Sequence, residues 1–466
     1  MTETYFEAAA PVSAHVVPVV TPDGMTRLPL LIVLGYVVGT FALFLIWPIN
    51  WPIYHVVDWA RLIAYVALSF VVVGVAAIAG SKGSTRVTAP LPQLRILMLV
   101  GAGSAALLLI PSCFAYTGHG PWEVLDALRD QGGAYRRLQV QLWATTGQRS
   151  TLAIVRALAA PFTYAVLPLG IIRWRSTGWI GRIAVGVTVI ASVIFSIMRG
   201  TDKEIADLFV VGTAASFVVF GRGRALGDRG SDIIRRYWHW GLLAIVFFYF
   251  AQGLFTERKD ERLGGVVNRT AVCANDSRIC ANLDNPWIAW LPPRQRFGAT
   301  IFILATCSGY YGLELALEKP FDSSFGLGHS PATLSIYEDV TGDTSLRMRT
   351  FTWRNGADHW YEEFYWSTLM TWIANDVGFP GAVLVIGFIA YMWGRWWREA
   401  AAGLSDPAAV LFALSTTMIF YLPANNQVLA SYDGYTEVAF WIAVWLWHRS
   451  RFALSAEVAT DLGRRA

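Results

Sequence analysis

Residues 60–80 read ARLIAYVALSFVVVGVAAIAG, and the only charge in this stretch is Arg61, near its start. A helix needs about 20 apolar residues to cross the hydrocarbon core of a bilayer, so this stretch predicts a membrane span. Further apolar stretches with few charges lie at approximately 28–47, 94–115, 152–172, 180–198, 204–220, 240–255, 297–317, 379–396, 408–422 and 436–448. The sequence therefore predicts an all-α polytopic membrane protein.

The composition supports the same class of protein. Of the 466 residues, 55% are hydrophobic and only 15% are charged, and the mean hydropathy is +0.43. Because soluble proteins carry about 25% charged residues, a soluble domain, a disordered chain and a nucleic-acid binder are excluded. The 37 basic and 33 acidic residues give a net charge of +4. This value indicates the topology only when each charge is assigned to a side of the membrane.

Basic residues in short loops indicate the cytoplasmic side of a membrane protein. They place both ends of the chain inside, with a cytoplasmic N-terminal segment at 1–27 and a cytoplasmic tail at 449–466. A single membrane domain then occupies 28–448. The basic residues of its predicted inner loops are Lys82, Arg86, Arg95, Arg173, Arg175, Arg182, Arg222, Arg224, Arg229, Arg235, Arg236, Arg395 and Arg398. The predicted external loops are 116–151, 256–296 and 318–378.

The segment 297–317 breaks the alternation of inner and outer loops, because as a full span it puts the next loop on the wrong side. It contains the polar run Ser308–Gly312 and continues into Glu314 and Glu318. We therefore predict that this segment is re-entrant or lies in the outer interface. About ten transmembrane helices remain.

Cys273 and Cys280 lie in the second external loop, where an oxidising compartment favours a disulfide between them. The alternative is a pair of free thiols in a polar loop. The sequence contains no Cys/His spacing typical of a metal site, no Walker loop and no dinucleotide fingerprint. We expect neither a metal nor a cofactor.

Two groups of charges mark the predicted outer boundary, where arginine is expected to be rare. Arg136 and Arg137 are adjacent in the first external loop and can clamp a lipid-linked phosphate, or can belong to an amphipathic helix that meets lipid headgroups. Arg199 and Lys203 lie in a tight outer hairpin, one turn before Asp207. A pair between Lys203 and Asp207 leaves Arg199 for an anion, whereas the alternative is a structural salt-bridged turn.

The last external loop holds the third group. Glycines at 326 and 328 allow a close backbone approach to a ligand, and the following His329 can exchange a proton near neutral pH. His359 and Glu363 are further candidates for proton transfer. The loop also contains Arg347, Arg349 and Arg354. Imidazoles and carboxylates beside arginines suit the deprotonation of a hydroxyl near a phosphate leaving group, although each side chain can also be a solvated loop residue.

The stretch from Ser367 to Gly381 reads STLMTWIANDVGFPG, includes Asp376 and Gly378, and leads into an apolar span. In this stretch, in the Gly326–His329 loop, and in its plan of many spans with a large outer loop before the third-last helix, the chain resembles the Wzy-type oligosaccharide repeat-unit polymerases of bacteria. The related O-antigen ligases share this layout. The resemblance implies a metal-independent glycosyltransferase with a GT-C-like fold, acting at the periplasmic face of the inner membrane on glycans carried by undecaprenyl diphosphate.

The resemblance does not assign every role. In the ligases a histidine stands eleven residues before the glycine that matches Gly378, and this chain has Ser367 there, which favours a polymerase over a ligase. The general base stays open among His329, His359 and Glu363. The family binds the lipid diphosphate through outer-face arginines. From their location we expect these to be Arg199, Arg347, Arg349 and Arg354.

The alternative from another functional class is a flippase or exporter of lipid-linked glycans. It predicts charged residues at mid-membrane on several spans, whereas here the charges crowd the outer boundary. The expected partners are undecaprenyl-diphosphate-linked oligosaccharides and membrane lipids, with the flippase and the chain-length regulator of the same pathway as further candidates. A nucleic-acid partner is not expected.

Overall fold

The computed structural model describes residues 27–451 with several gaps. Outside the description are 1–26, 52–56, 84, 86, 145, 226–227, 233–234, 236–237, 239–241, 243–251, 254, 262, 264, 266–270, 274–278, 363 and 452–466, together with the side chains of 142–150. The first half of the described chain contains α1 (Leu28–Ile46), β1 (Ile49–Asn50), α2 (Trp59–Ser81), α3 (Leu94–Thr117), α4 (Val124–Arg129), α5 (Gln131–Ala144), α6 (Thr146–Ile172), α7 (Gly178–Arg199) and α8 (Lys203–Ala225). The second half contains β2 (Ala271–Cys273), β3 (Cys280–Asn282), α9 (Pro293–Leu317), α10 (Pro331–Thr341), α11 (Ser345–Arg349), α12 (Phe351–Arg354), α13 (Leu369–Ala401), α14 (Asp406–Tyr421) and α15 (Tyr432–Arg451).

The helices confirm an all-α polytopic membrane protein. Within the described residues, eight helices are long and apolar enough to cross a membrane: α1, α2, α3, α6 from Thr151, α7, α8, α9 and α13. The predicted stretches at 408–422 and 436–448 are also helical, as α14 and α15. The stretch 240–255 lies almost wholly outside the described residues, so the number of ten spans stays a prediction.

Small residues bring two of the long helices into backbone contact. A Cβ atom on Gly80 of α2 would lie 2.0 Å from the carbonyl oxygen of Tyr391, and one on Gly394 of α13 would lie 2.0 Å from that of Ala77. Glycine and alanine are typical of such interfaces, because apolar lipid provides no hydrophobic drive for helices to associate and close packing has to replace it. The α2–α13 pair therefore anchors the segment that carries the Ser367–Gly381 stretch.

The predicted inner loops meet at one end of the bundle, around the buried carboxylate of Asp406. Its Oδ1 lies 3.0 Å from Nε of Arg173 and 3.2 Å from Nη2 of Arg222, and its Oδ2 accepts a hydrogen bond of 3.1 Å from the backbone of Leu91. Three connections that the sequence assigned to the cytoplasm are thus joined at a single side chain. Glu399 forms a second pair nearby, with Arg395 at 3.2 Å.

Helix α9 differs from its predicted form, since it continues for 25 residues without turning back. The re-entrant form of the prediction is therefore wrong. Near its start, Thr300 accepts a hydrogen bond of 3.1 Å from the indole of Trp47, which follows α1. Near its end, Glu314 accepts one of 2.9 Å from the backbone of Asp58, which precedes α2. Both ends lie beside the same short connection, which favours the interfacial form, and this form stays a prediction.

The three predicted external loops carry short elements. The first contains α4 and α5, and the last contains α10, α11 and α12. In the second loop, β2 and β3 pair antiparallel, and β3 also pairs with β1. A disulfide joins Cys273 and Cys280, which face each other in this sheet, as the sequence predicted.

Candidate functional site

The Ser367–Gly381 stretch contains a sharp bend. Gly378 has φ 69° and ψ 171°, a conformation in which L side chains are strained, so α13 divides into a short outer part and a long part that follows the bend. Phe321, from the last external loop, packs over this glycine. Gly381 lies within the turn after the bend, where a Cβ atom would come 2.7 Å from that of Val377. The bend leaves Asn375 and Asp376 at the end of the outer part.

Asn375 fastens the last external loop to α13. Its amide nitrogen donates to the carbonyl oxygen of Gly328 at 2.8 Å, and its amide oxygen accepts from the backbone of Phe351 at 2.8 Å. Its own carbonyl oxygen accepts from the hydroxyl of Ser324 at 2.8 Å. Asn375 is fully buried, so its side chain joins two distant parts of the loop inside the protein.

The carboxylate of Asp376 is surrounded by donors from the same loop. Oδ1 accepts from Ser324 Oγ at 2.7 Å and from the backbone nitrogens of Gly326 and Gly328 at 3.0 and 2.8 Å. Oδ2 accepts from the backbone nitrogen of His329 at 2.8 Å and faces its Nδ1 at 2.8 Å. All these groups can donate, which matches an ionised, acceptor-only carboxylate. The loop thus forms an anion-binding nest whose anion is part of the protein.

The sequence of the loop explains this shape. Phe325 and Gly326 both have positive φ, 55° and 84°, which turns successive backbone N–H groups toward one point. Gly328 is required by crowding, because a Cβ atom there would lie 2.8 Å from that of Asn375 and against Ser324. The glycines that the sequence suggested for a ligand therefore serve the approach to Asp376.

The ring of His329 is held from both sides. Nδ1 faces Asp376, and Nε2 is hydrogen-bonded to the hydroxyl of Tyr435 at the start of α15. The carbonyl oxygen of His329 accepts from the side chain of Asn426 at 2.6 Å. The His329 side chain is 27% exposed and that of Asp376 is 7% exposed. This His329–Asp376 pair is the arrangement expected of a general base with a fixed tautomer.

The other candidates for the base lie elsewhere. His359 ends the short helix Asn355–Asp358 with a positive φ of 60°, is exposed, and has its ring 6.3 Å from that of Tyr361. Glu363 lies outside the described residues. Ser367, which occupies the histidine position of the ligases, is buried against Gly312 of α9.

Arg347, which the sequence predicts as an anion ligand, has its guanidinium engaged within the loop. It binds both carboxylate oxygens of Glu338 at 2.7 and 2.8 Å and Oε1 of Glu362 at 2.7 Å. Burial alone lowers the pKa of Arg347, but the hydrogen bond with Glu338 and the charge of Glu362 raise the pKa well above its usual value. A guanidinium with three carboxylate contacts is a structural element.

The other two arginines of this loop are less tightly held. Arg354 donates to the carbonyl oxygen of Pro320 at 2.8 Å and lies over the ring of Phe351. Arg349 lies over the ring of Phe325, is 3.8 Å from Asp322, and has a side chain that is 37% exposed. Arg349 therefore keeps an exposed surface close to the nest.

The outer hairpin also differs from its prediction. Arg199 is paired with Glu204 and lies over the ring of Phe195, so it is not left for an anion. Asp207 accepts two hydrogen bonds of 3.2 Å from the amide of Gln427, and Lys203 is exposed. The alternative interpretation, a salt-bridged turn, therefore describes Arg199 better.

The structure brings the outer hairpin into contact with the helix that carries Arg136 and Arg137. Gly200 of the hairpin packs on α5, because a Cβ atom there would lie 2.8 Å from the backbone nitrogen of Tyr135. Arg136 and Arg137 follow on the same helix, the first exposed and the second half-buried. The exposed cations near this contact are thus Arg136 and Lys203.

Sequence reasoning missed a cavity of about 240 Å³ between α3, α6, α7, α8 and α15, which has a mostly apolar wall with several charged side chains. Arg156 lines it and pairs with Asp433 at 3.1 Å. The other charged groups that line it are Glu204, Asp207 and Glu437. Charges inside predicted spans are the signal that could have found it, since ionisable residues at this depth are usually functional.

Two neighbouring residues connect this cavity with the nest. Asn426 donates to His329, whereas Gln427 donates to Asp207 in the cavity wall. On α15, Tyr435 contacts His329, while Asp433 and Glu437 face the cavity. The loop before α15 and its first turns therefore separate the two places and touch both.

The geometry supports proton transfer by His329 and anion binding by exposed cations at the same end of the bundle. Among the described residues there is no group of three His, Cys, Asp or Glu side chains able to hold a metal ion. Comparison of the chain with protein-family models, curated proteins and solved structures finds no match. The His329–Asp376 pair is the feature of this site that points to a chemical reaction.

Proposed function

We propose that this protein polymerises oligosaccharide repeat units carried on undecaprenyl diphosphate, at the periplasmic face of the bacterial inner membrane. The observation that carries the proposal is the His329–Asp376 pair, with Nδ1 and Oδ2 2.8 Å apart, at the end of the bundle opposite the arginine-rich loops. A histidine whose tautomer is fixed by a carboxylate is suited to act as a general base. The likeness of the Ser367–Gly381 stretch to repeat-unit polymerases supports the same reaction.

The proposed step is a glycosyl transfer without a covalent enzyme intermediate. A hydroxyl of the acceptor sugar attacks the anomeric carbon of the donor, and its proton passes to His329. The bond between the anomeric carbon and the diphosphate oxygen breaks, and the diphosphate leaves with the electron pair. Asp376 stabilises the imidazolium that forms, through its unneutralised negative charge.

Cations must stabilise the charge that develops on the leaving diphosphate. We assign this role to Arg136 and Lys203, which are exposed beside the outer hairpin, and to Arg349, which is exposed beside the nest. Arg137 is a further candidate. Two lipid tails in the bilayer keep the donor and the acceptor near this end of the protein, which makes their encounter effectively intramolecular.

A flippase or exporter of lipid-linked glycans is the second candidate, and the charged side chains in the cavity wall favour it. The cavity contains ionisable side chains from three helices, α6, α8 and α15. These side chains lie within the outer turns of their helices, however, and a pathway for a glycan needs polar residues through the whole membrane. The ligase alternative differs from polymerisation only in its acceptor, so a product analysis distinguishes the two.

The test uses the full chain in nanodiscs with lipid-linked repeat units. We expect a ladder of longer glycans from the wild type and none from the His329→Gln variant, while the control His359→Gln keeps the ladder. A loss of about 100- to 10,000-fold in rate is typical when a general base is removed. Transport of substrate without any bond formation would assign the protein to the flippase class, and a His329→Gln variant that polymerises normally would remove His329 from the mechanism.

A further inference from the structure

The nitrogen of His329 that would take the proton is covered in this structure. Because Asp376 only accepts, the Nδ1 facing it carries the hydrogen of the neutral ring, and Nε2 holds the lone pair. The hydroxyl of Tyr435 donates to this Nε2. A sugar hydroxyl therefore meets the Tyr435 oxygen before it can reach the histidine.

Tyr435 packs against the loop that carries His329. It lies on the first turn of α15, with its ring centre 5.7 Å from that of His329 and the planes at 66°. The bond from Asn426 to the carbonyl oxygen of His329 ties the same loop to the segment that precedes α15. Displacing Tyr435 means separating this loop from the helix.

We propose that Tyr435 is a catalytic residue that relays the proton of the acceptor hydroxyl to His329. This inference rests on the proposed function and deepens it. As the acceptor oxygen bonds to the anomeric carbon, its proton moves to the Tyr435 oxygen, and the hydroxyl proton of Tyr435 moves to Nε2. The bond to the diphosphate breaks, and the diphosphate takes the electron pair. His329 later returns the proton to water, and Tyr435 ends as a neutral phenol.

Two expected properties distinguish a proton relay from a contact that only supports the fold. A relay requires the phenol oxygen itself, so Tyr435→Phe removes the proton transfer while the ring stays packed against the loop. A relay also acts in the chemical step, so its loss lowers kcat and leaves the KM for lipid-linked substrate nearly unchanged. Tyr432 offers a matched control, since it starts the same helix.

The experiment measures glycan elongation by the full chain in nanodiscs for the wild type, Tyr435→Phe and Tyr432→Phe. We expect Tyr435→Phe to lose at least about 100-fold in kcat, within the range for proton transfer by a positioned side chain, with KM changed by less than about threefold. We expect Tyr432→Phe to stay within about threefold of the wild type. Nitrogen NMR of the histidine rings, assigned with His329→Gln, should show the Nε2 signal of His329 shifting in Tyr435→Phe only.

Each other outcome counts against the relay. A Tyr435→Phe variant that elongates glycans at the wild-type rate or faster overturns it, and a faster variant would mean that Tyr435 only blocks the base. An equal loss in Tyr432→Phe, or a loss confined to KM, assigns Tyr435 to structure. If the wild type itself forms no glycan bond, the proposed function fails, and this result is distinct from an active wild type with an active Tyr435→Phe.

Discussion

Two aspartates at opposite ends of the bundle differ in the kind of donor that surrounds them. Asp406 is fully buried between two guanidinium groups, so its charge is more than neutralised. Asp376 is held by backbone N–H groups, a hydroxyl and the imidazole of His329, with no guanidinium among them. An aspartate between arginines joins loops, whereas one in a nest of dipoles keeps a negative charge that a neighbouring histidine can use.

The largest effect should come from Asp376→Asn. The amide cannot accept all of these hydrogen bonds, and it removes the charge that stabilises a protonated His329. We expect the elongation rate per folded molecule to fall about 100- to 10,000-fold. The control is Ser324→Ala, which removes one donor and keeps the charge, and which should cost less than about tenfold in rate. An Asp376→Asn rate within tenfold of the wild type would contradict the role given to the nest.

The second effect concerns stability rather than rate. Asp406→Asn leaves Arg173 and Arg222 buried without a counter-charge, which typically costs about 3–5 kcal/mol. Thermal unfolding in detergent should show this loss, while the molecules that remain folded keep their rate. The matched control is Asp284→Asn, because Asp284 is 58% exposed in its pair with Arg296 and we expect less than about 1 kcal/mol there. Unchanged stability of Asp406→Asn would mean that the inner loops are held together by other contacts.

The smallest effect tests whether the outer end also contains purely structural charges. Arg347→Gln removes the partner of Glu338 and Glu362 and should lower the stability by about 1–3 kcal/mol. Because Arg347 is engaged within the loop, the KM for lipid-linked substrate should not change, whereas Arg349→Gln should raise it. If Arg347→Gln has the stability of the wild type but a strongly raised KM, the result would support a role for Arg347 in binding the diphosphate.

Much of the fold could be predicted from the sequence, because apolar length and loop arginines are local properties that the membrane imposes on any chain. The described helices start and end near the predicted stretches, and Arg173 and Arg222 from separate predicted inner loops meet at Asp406. The form of α9 was harder to predict, because Gly309 and Glu314 are buried against other parts of the protein, where they do not interrupt a helix.

The candidate site was predictable only in part. His329 and the stretch that contains Asp376 were both identified, but nothing in the sequence shows that residues 47 positions apart pair with each other. The same limit applies to Arg347, whose partner Glu338 lies on a different short helix. Tyr435 was overlooked because an aromatic residue near the end of a span is ordinary, and only the fold places its hydroxyl on Nε2.

Asn375 fastens the last external loop at two points, and the loop between them is held differently from the nest itself. The nest and His329 are tied to α13 at Gly328 and again at Phe351. Between these two points the chain forms α10 and α11, which expose Val340 and Met348 to the outside. A change at Val340 or Met348 should therefore leave the geometry at His329 intact. The loop thus combines a firmly held base with an exposed surface that is structurally separate from it.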